Sequence, residues 1–417
     1  MKISSWAIAC LALLAIGLAA VAVVGQEGPK PIVSTGIAGK TNMDLAHIAA
    51  GKKMLDDAVK FLISKRDADG GWSAGPQGQY KPAMTAMVLK VLLQHPDYAP
   101  AIEAAAGAGN MPTRKPGTEV DKTVVTKALD VLLKYRQKDG GIYIPQEGQA
   151  AYTTAIAVMA LKAAKDPKYN EVVKDAVDYL KGLQIVPGQE SPDAKKIAAD
   201  DPRVGGVGYG KPPGFSPNMV VMDYWMGAME DAGVPSKDPA IQNALGFLSR
   251  LQNTETNPMQ FAKDGNYDGG FVYSLDESKA GSAGKGMRSY GTVTYAGIKS
   301  LLYAGVAKED PRVKGAYNWI RKYWGLDSNP NLPDAQSQQG LYYYYHVFAK
   351  ALRAYGETTV KDLKDKEHNW REELVDAMKK RVKDDGSWTN SADRWEEGSP
   401  VLVTCYCALA LEEVFKN

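Results

Sequence analysis

Asp223 stands in Met219-Val-Val-Met-Asp-Tyr-Trp-Met, an otherwise apolar run with helical spacing. A carboxylate there is costly to bury unless it is paired or put to use, which makes Asp223 a candidate general acid or base. The alternative is a buried Asp that pairs with an Arg or caps a neighbouring helix. The run Tyr342-Tyr-Tyr-Tyr-His346 places Tyr342 and His346 on one helical face at i, i+4. A phenol beside an imidazole is equipped for proton transfer, although adjacent Tyr side chains also fill wide gaps between helices. Arg288 follows Gly281-Ser-Ala-Gly-Lys-Gly286 and opens another helical pattern. Such an arrangement could hold a phosphate or carboxylate; without Walker-type spacing, the plainer reading is a loop with Ser289 as the helix cap.

Metal chemistry finds little support. Asp264-Gly-Asn266-Tyr-Asp268-Gly269 matches the first half of a calcium loop, but the twelfth position is Leu275 where the loop needs Glu. His47, His95 and His368 are isolated from one another. No metal ion or other cofactor is expected.

The elements that must position these residues are set by a repeat. Asp69-Gly-Gly-Trp72, Asp139-Gly-Gly-Ile142, Gly205-Gly-Val-Gly208, Asp268-Gly-Gly-Phe271, Gln339-Gly-Leu-Tyr342 and Asp385-Gly-Ser-Trp388 are variants of one turn. Each is preceded by an amphipathic helical pattern and followed by one that is apolar nearly all round, as in Thr-Thr-Ala-Ile-Ala-Val-Met-Ala-Leu from Thr153. Six hairpins, each with one solvated and one buried helix, close into an inner barrel of helices sheathed by an outer one. The expected fold is therefore all-α, a six-hairpin α/α toroid with little strand content. The glycines supply the permissive backbone of each turn, and the aromatic after them can stack on the next hairpin.

At 417 residues, with 45% hydrophobic and 24% charged content, the chain can bury a large core. Its formal charge of +2 gives no reason to expect a nucleic-acid partner. Lys2 followed by an apolar run from Trp6 to Val24 reads as a signal peptide or N-terminal anchor over residues 1–25, which implies export and possible proximity to a membrane. Residues 26–43 are Gly/Pro-rich and read as a tether, and the toroid takes residues 44–417. Cys405 and Cys407, two apart in a helical pattern, diverge and are not expected to bridge.

The repeated turn resembles that of the protein prenyltransferase β-subunits and squalene-type triterpene cyclases, over about residues 50 to 415. Prenyltransferases begin one inner helix with Asp-Gly-Cys-Tyr-Ser-Phe-Trp-Gln-Ala-Gly, whose Asp and Cys hold zinc. The corresponding stretch here is Arg288-Ser-Tyr290-Gly-Thr-Val-Thr-Tyr-Ala-Gly297. Their third zinc ligand, in His-Thr-Cys-Tyr-Cys, falls on Val403. Arg288, Tyr290 and Val403 are poor zinc ligands, so zinc-dependent thiol prenylation is not expected. The Asp-x-Asp-Asp acid of the cyclases is absent as well. The resemblance is to exported bacterial members of this group and names a fold more than an activity.

That fold turns the starts of the inner helices toward a central cavity. The candidates there are Asp223 and His346 for catalysis, and Tyr152, Arg288, Tyr290, Tyr295, Tyr342, Tyr345 and Tyr406 for ligand binding, with Thr153 beside them. The expected function is an exported toroid holding an isoprenoid or other apolar small molecule in an aromatic-walled cavity. Two alternatives stay open: a carbohydrate-active lyase or hydrolase, which needs a carboxylate pair or a Tyr/His/Arg set across the cavity, and a non-catalytic scaffold.

Overall fold

The computed structural model describes residues 41–75, 77–95, 122–190, 195–210, 216–264 and 267–416. The export segment and most of the tether expected before residue 44 lie outside them. Among the described residues, twelve long helices follow in order, alternating outer and inner. The outer helices are α1 (Leu45–Ser64), α3 (Lys122–Leu133), α5 (Asn170–Gly182), α7 (Pro239–Arg250), α9 (Pro311–Lys322) and α11 (Trp370–Lys379). The inner helices are α2 (Lys81–Gln94), α4 (Ala150–Ala163), α6 (Met219–Ala232), α8 (Gly291–Tyr303), α10 (Leu341–Tyr355) and α12 (Pro400–Phe415). Strand content is confined, among the described residues, to short pairings such as Ser282–Ala283 with Gly286–Met287.

The inner helices pack in a closed ring, α2 on α4, then α6, α8, α10, α12 and back to α2. Each outer helix lies against this ring, α3 on α2, α5 on α4 and α9 on α8 for example. The chain is an all-α, six-hairpin toroid. The alternation follows from side-chain patterning. In α5 the buried residues Val173, Ala176, Val177 and Leu180 recur on one face and the charged residues take the other, whereas α4 buries nearly every side chain. Asp238 and Asp310 accept from the backbone N–H two residues on and start α7 and α9, each with Pro at the first position. Among the described residues, no helix is long and apolar enough to cross a membrane.

The glycine turns fit because nothing larger would. Gly205 has φ +88°, and a Cβ there would stand 1.9 Å from the Asn243 carbonyl oxygen on α7. Gly269, at φ +81°, meets the Gly315 carbonyl on α9 at 2.4 Å. Past four of the turns, a backbone N–H is tied to a threonine of the inner helix. Trp72, Ile142, Phe271 and Trp388 donate to the hydroxyls of Thr85, Thr154, Thr294 and Thr404 at 3.0, 3.0, 3.1 and 3.2 Å. The aromatics of the first and last turns do not reach the next hairpin through their polar edge. The Trp72 and Trp388 indoles donate to the Leu62 and Met378 carbonyls at the ends of their own outer helices.

The fifth hairpin departs from the sequence reading. Gly340 is the N-cap of α10, and the ties between this hairpin's loop and its inner helix fall earlier, at Gly325 and Leu326. There tyrosines take the place of threonine, with the Tyr344 hydroxyl donating to the Gly325 carbonyl at 2.8 Å and the Tyr345 hydroxyl to the Leu326 carbonyl at 2.5 Å. Cys405 and Cys407 are buried and free, as their spacing requires.

Candidate functional site

The first turns of the six inner helices converge on a cavity of about 270 Å³. Tyr80 and Tyr290, the N-caps of α2 and α8, line it together with Tyr152 of α4, Tyr343 of α10 and Tyr406 of α12. Tyr209 and Tyr273 reach it from the turns before α6 and α8, and Trp395 covers it from the loop before α12. Phenols dominate this wall because tyrosine supplies a broad apolar face and needs only one partner for its hydroxyl.

At the floor, Tyr152 packs edge-on against Tyr224 with centroids 4.5 Å apart, and Tyr224 stacks on Tyr343 at 5.8 Å. The Tyr152 and Tyr406 hydroxyls lie 3.4 Å apart. Burial pushes the Tyr152 phenol up to about 12, so it enters chemistry near neutral pH as a neutral O–H.

Asp223 lies behind this floor. The Tyr343 hydroxyl donates to its Oδ2 at 3.0 Å, and its Oδ1 lies 2.5 Å from Lys299 Nζ, with Asp223 and Lys299 both buried. The partner is thus a lysine of α8 rather than an Arg, and both carboxylate oxygens face donors. Asp223 sits here as an acceptor, one tyrosine away from the cavity. His346 is also behind the wall, stacked on Tyr406 with centroids 6.0 Å apart. Burial and then the neighbouring Lys350, Lys299 and Lys90 hold its pKa well below the usual imidazole range, and Nδ1 has no hydrogen-bond partner.

Of the ligand-binding candidates, Tyr152, Tyr290 and Tyr406 reach the cavity. The others have different work. Tyr295 packs against Tyr344 and Phe348, Tyr342 packs edge-on against Tyr345, and Tyr345 is held by the Leu326 carbonyl. Thr153 is buried away from the wall. Arg288 does not line the cavity; the cation that does is Lys279, whose ammonium lies 4.4 Å from the Tyr273 ring centroid and 2.5 Å from Glu277. The shared face of Tyr342 and His346 does not form a pair toward a ligand, because Tyr343 is the member of the run that faces inward. Asp268, the last acid of the calcium-like stretch, accepts from Ser289 at 2.5 Å and from Gly270 N–H at 3.0 Å, while positions 265 and 266 fall outside the described residues.

Sequence reasoning missed the loop that closes the site. Glu397 is buried and accepts from the Tyr342 and Tyr343 N–H groups at 3.0 and 2.8 Å, and from Asn390 at 2.6 Å. It caps α10 from a distant part of the chain, and burial raises its carboxyl to about 7. Trp395 and Glu396 both take left-handed backbone, φ +61° and +64°, where non-glycine residues are strained. Trp395 lies against Gly340, where an added Cβ would come within 3.1 Å of its ring. Glu396 and Glu397, the carboxylates of the wall, are neighbours on one loop and do not face each other across a groove. A positional signal for part of this wall was present, since Ala74, Tyr209 and Tyr273 each stand three residues past the second glycine of their turns.

No protein-family model matches the sequence, and no curated protein matches it either. Among solved structures, the type II terpene cyclase MstE from Scytonema, in complex with its substrate geranylgeranyl dihydroxybenzoate, aligns over 89% of this chain and 99% of its own, with a TM-score of 0.51 and 14% identity. The same enzyme with its product merosterolic acid A aligns over the same shares at 0.50 and 14%. The chain has a terpenoid-cyclase-like fold. In this terpenoid-cyclase-like toroid, the wall residues are those of the present chain, and the fold likeness does not assign their roles.

Proposed function

We propose that this chain is an exported, terpenoid-cyclase-like toroid that binds an isoprenoid or other largely apolar small molecule among Tyr80, Tyr152, Tyr290, Tyr343 and Tyr406. The observation that carries the reading is the cavity itself, about 270 Å³ at the converging first turns of the inner helices and walled mainly by aromatic rings. A side-chain-filled axis would have spoken for a scaffold. Concave, mostly apolar sites with a few polar groups are where small molecules bind, and phenols offer broad faces to a chain of methyl-branched carbons. The solved cyclase of the same fold carries a geranylgeranyl-bearing substrate, which supports an isoprenoid as the ligand class. Export rests on the sequence of residues 1–25.

Trp395, 41% exposed at the cavity, is a natural reporter. Titration of the full chain with geranylgeraniol is expected to change tryptophan fluorescence saturably, and the Trp395→Phe variant should lose that change while isothermal calorimetry still records binding. Lipid extraction of protein purified from its own host should release a prenyl compound. No saturable binding, an extract without apolar ligand and recognition of sugars on a glycan array would together overturn the reading.

A further inference from the structure

Below the tyrosine floor, the axis of the inner barrel changes character. Along α10 the residues Tyr343, His346, Lys350 and Arg353 recur at the three-and-four spacing of one helix face. The first lines the cavity and the last is ion-paired with Glu413 of α12. Between them lies a layer with three lysines from three inner helices: Lys90 of α2, Lys299 of α8 and Lys350 of α10, exposed by only 5%, 1% and 7%.

Two of these ammonium groups have carboxylates. Lys90 Nζ lies 2.8 Å from Asp231, and Lys299 Nζ lies 2.5 Å from Asp223. Lys350 has no hydrogen-bond or ion-pair partner among the described residues, and neither has Nδ1 of His346 one turn before it. Of the two buried acids of α12, Glu413 is taken by Arg353 and Lys416, and Glu412 is held largely protonated by burial. Facing Lys350 across the axis, α6 carries Gly227. A Cβ built there would make only ordinary contacts, with Met159 Sδ at 3.4 Å and Lys350 Nζ at 3.9 Å, so the glycine leaves room for a small group beside an unpaired amine.

We propose that a small inorganic anion binds in this layer, between Gly227 and Lys350, with Lys350 as its direct ligand and Lys90 and Lys299 supplying the surrounding positive field. The reason is charge balance. A buried ammonium without a partner is costly, and it is relieved either by losing its proton or by gaining a counter-ion. The groups facing Lys350 are Lys90 from α2, Glu230 and Asp231 from α6, Lys299 from α8, His346 from its own helix and Glu413 from α12. Burial, then Lys299 and Lys90, push the Lys350 ammonium down to about 7, so the two remedies compete near neutral pH and an anion decides between them. The inference is independent of what the aromatic cavity holds.

Bromide is the probe. The full chain is melted in rising sodium bromide at about pH 6 and about pH 9, with gluconate, too bulky for the layer, keeping ionic strength constant. The expected result is a saturable rise in Tm at the lower pH, a weaker one at the higher pH, and none for Lys350→Met. Gly227→Ala, whose Cβ makes only ordinary contacts in a helix, should fold and bind bromide roughly tenfold more weakly. Crystals soaked in bromide should show an anomalous peak beside Lys350. Absence of a saturable effect in the wild type, or an effect that survives in both variants, would overturn the proposal and leave Lys350 as a neutral amine. A crystal peak without the solution effect would mark an adventitious ion only, with the same consequence.

Discussion

The two halves of the inner barrel are built from the same six helices, yet they solve the burial of polar groups in opposite ways. At the N-terminal half the polar atoms are phenol hydroxyls, loosely joined to one another and bordering a cavity. At the C-terminal half they are full charges, Lys90 on Asp231, Lys299 on Asp223 and Arg353 on Glu413, with Lys350 left unpaired among the described residues. A hydroxyl tolerates a missing partner at modest cost, whereas a charge does not. The half that holds loosely satisfied groups is the one suited to receive a ligand.

That contrast is broken most severely at Asp223, where the halves meet. Asp223→Ala strands the Lys299 ammonium and frees the Tyr343 hydroxyl, and should cost about 3–5 kcal/mol in denaturant unfolding. Combining Asp223→Leu with Lys299→Met should recover most of that loss, because no buried charge remains. Glu397→Ala attacks the other half. It removes the acceptor of two N–H groups at the start of α10 and should cost about 1–3 kcal/mol, with loss of ligand binding as Tyr343 loosens.

A pH series sharpens the comparison further. Lys350 is depressed to about 7 when folded and has an ordinary lysine pKa when unfolded, so between these values the unfolded chain binds more protons. Its contribution therefore makes stability rise as pH increases from about 7 toward 10, and Lys350→Met should flatten that part of the profile. The smallest effect belongs to Tyr152→Phe. Its hydroxyl contact is long, so stability should change by no more than about 0.5 kcal/mol while the cavity becomes more apolar and geranylgeraniol binding is kept or tightened.

The architecture was legible because its signals are local. A glycine forced to positive φ, as at Gly70, Gly140 and Gly269, marks a turn wherever it falls, and helices apolar all round announce an inner barrel. The fifth turn differs from the others because Gly340, with the same left-handed backbone, stands directly at the start of α10. The site was less legible because it depends on rotation about helix axes. One residue is about 100° of turn, enough to put Tyr343 at the cavity and Tyr342 away from it. Lys299 and Lys350 gave no warning, since a single lysine in an apolar run does not say which helix holds its partner. Trp395 and Glu397 act on the start of α10 from more than fifty residues away, a pairing that only tertiary structure reveals.

The most direct test is a crystal structure of the full chain grown with geranylgeraniol. The account predicts continuous prenyl density enclosed by Tyr152, Tyr290, Tyr343 and Tyr406 beneath Trp395, with the Asp223 and Lys299 pair unmoved. A cavity holding only water at saturating ligand, or prenyl density bound elsewhere on the toroid, would contradict it.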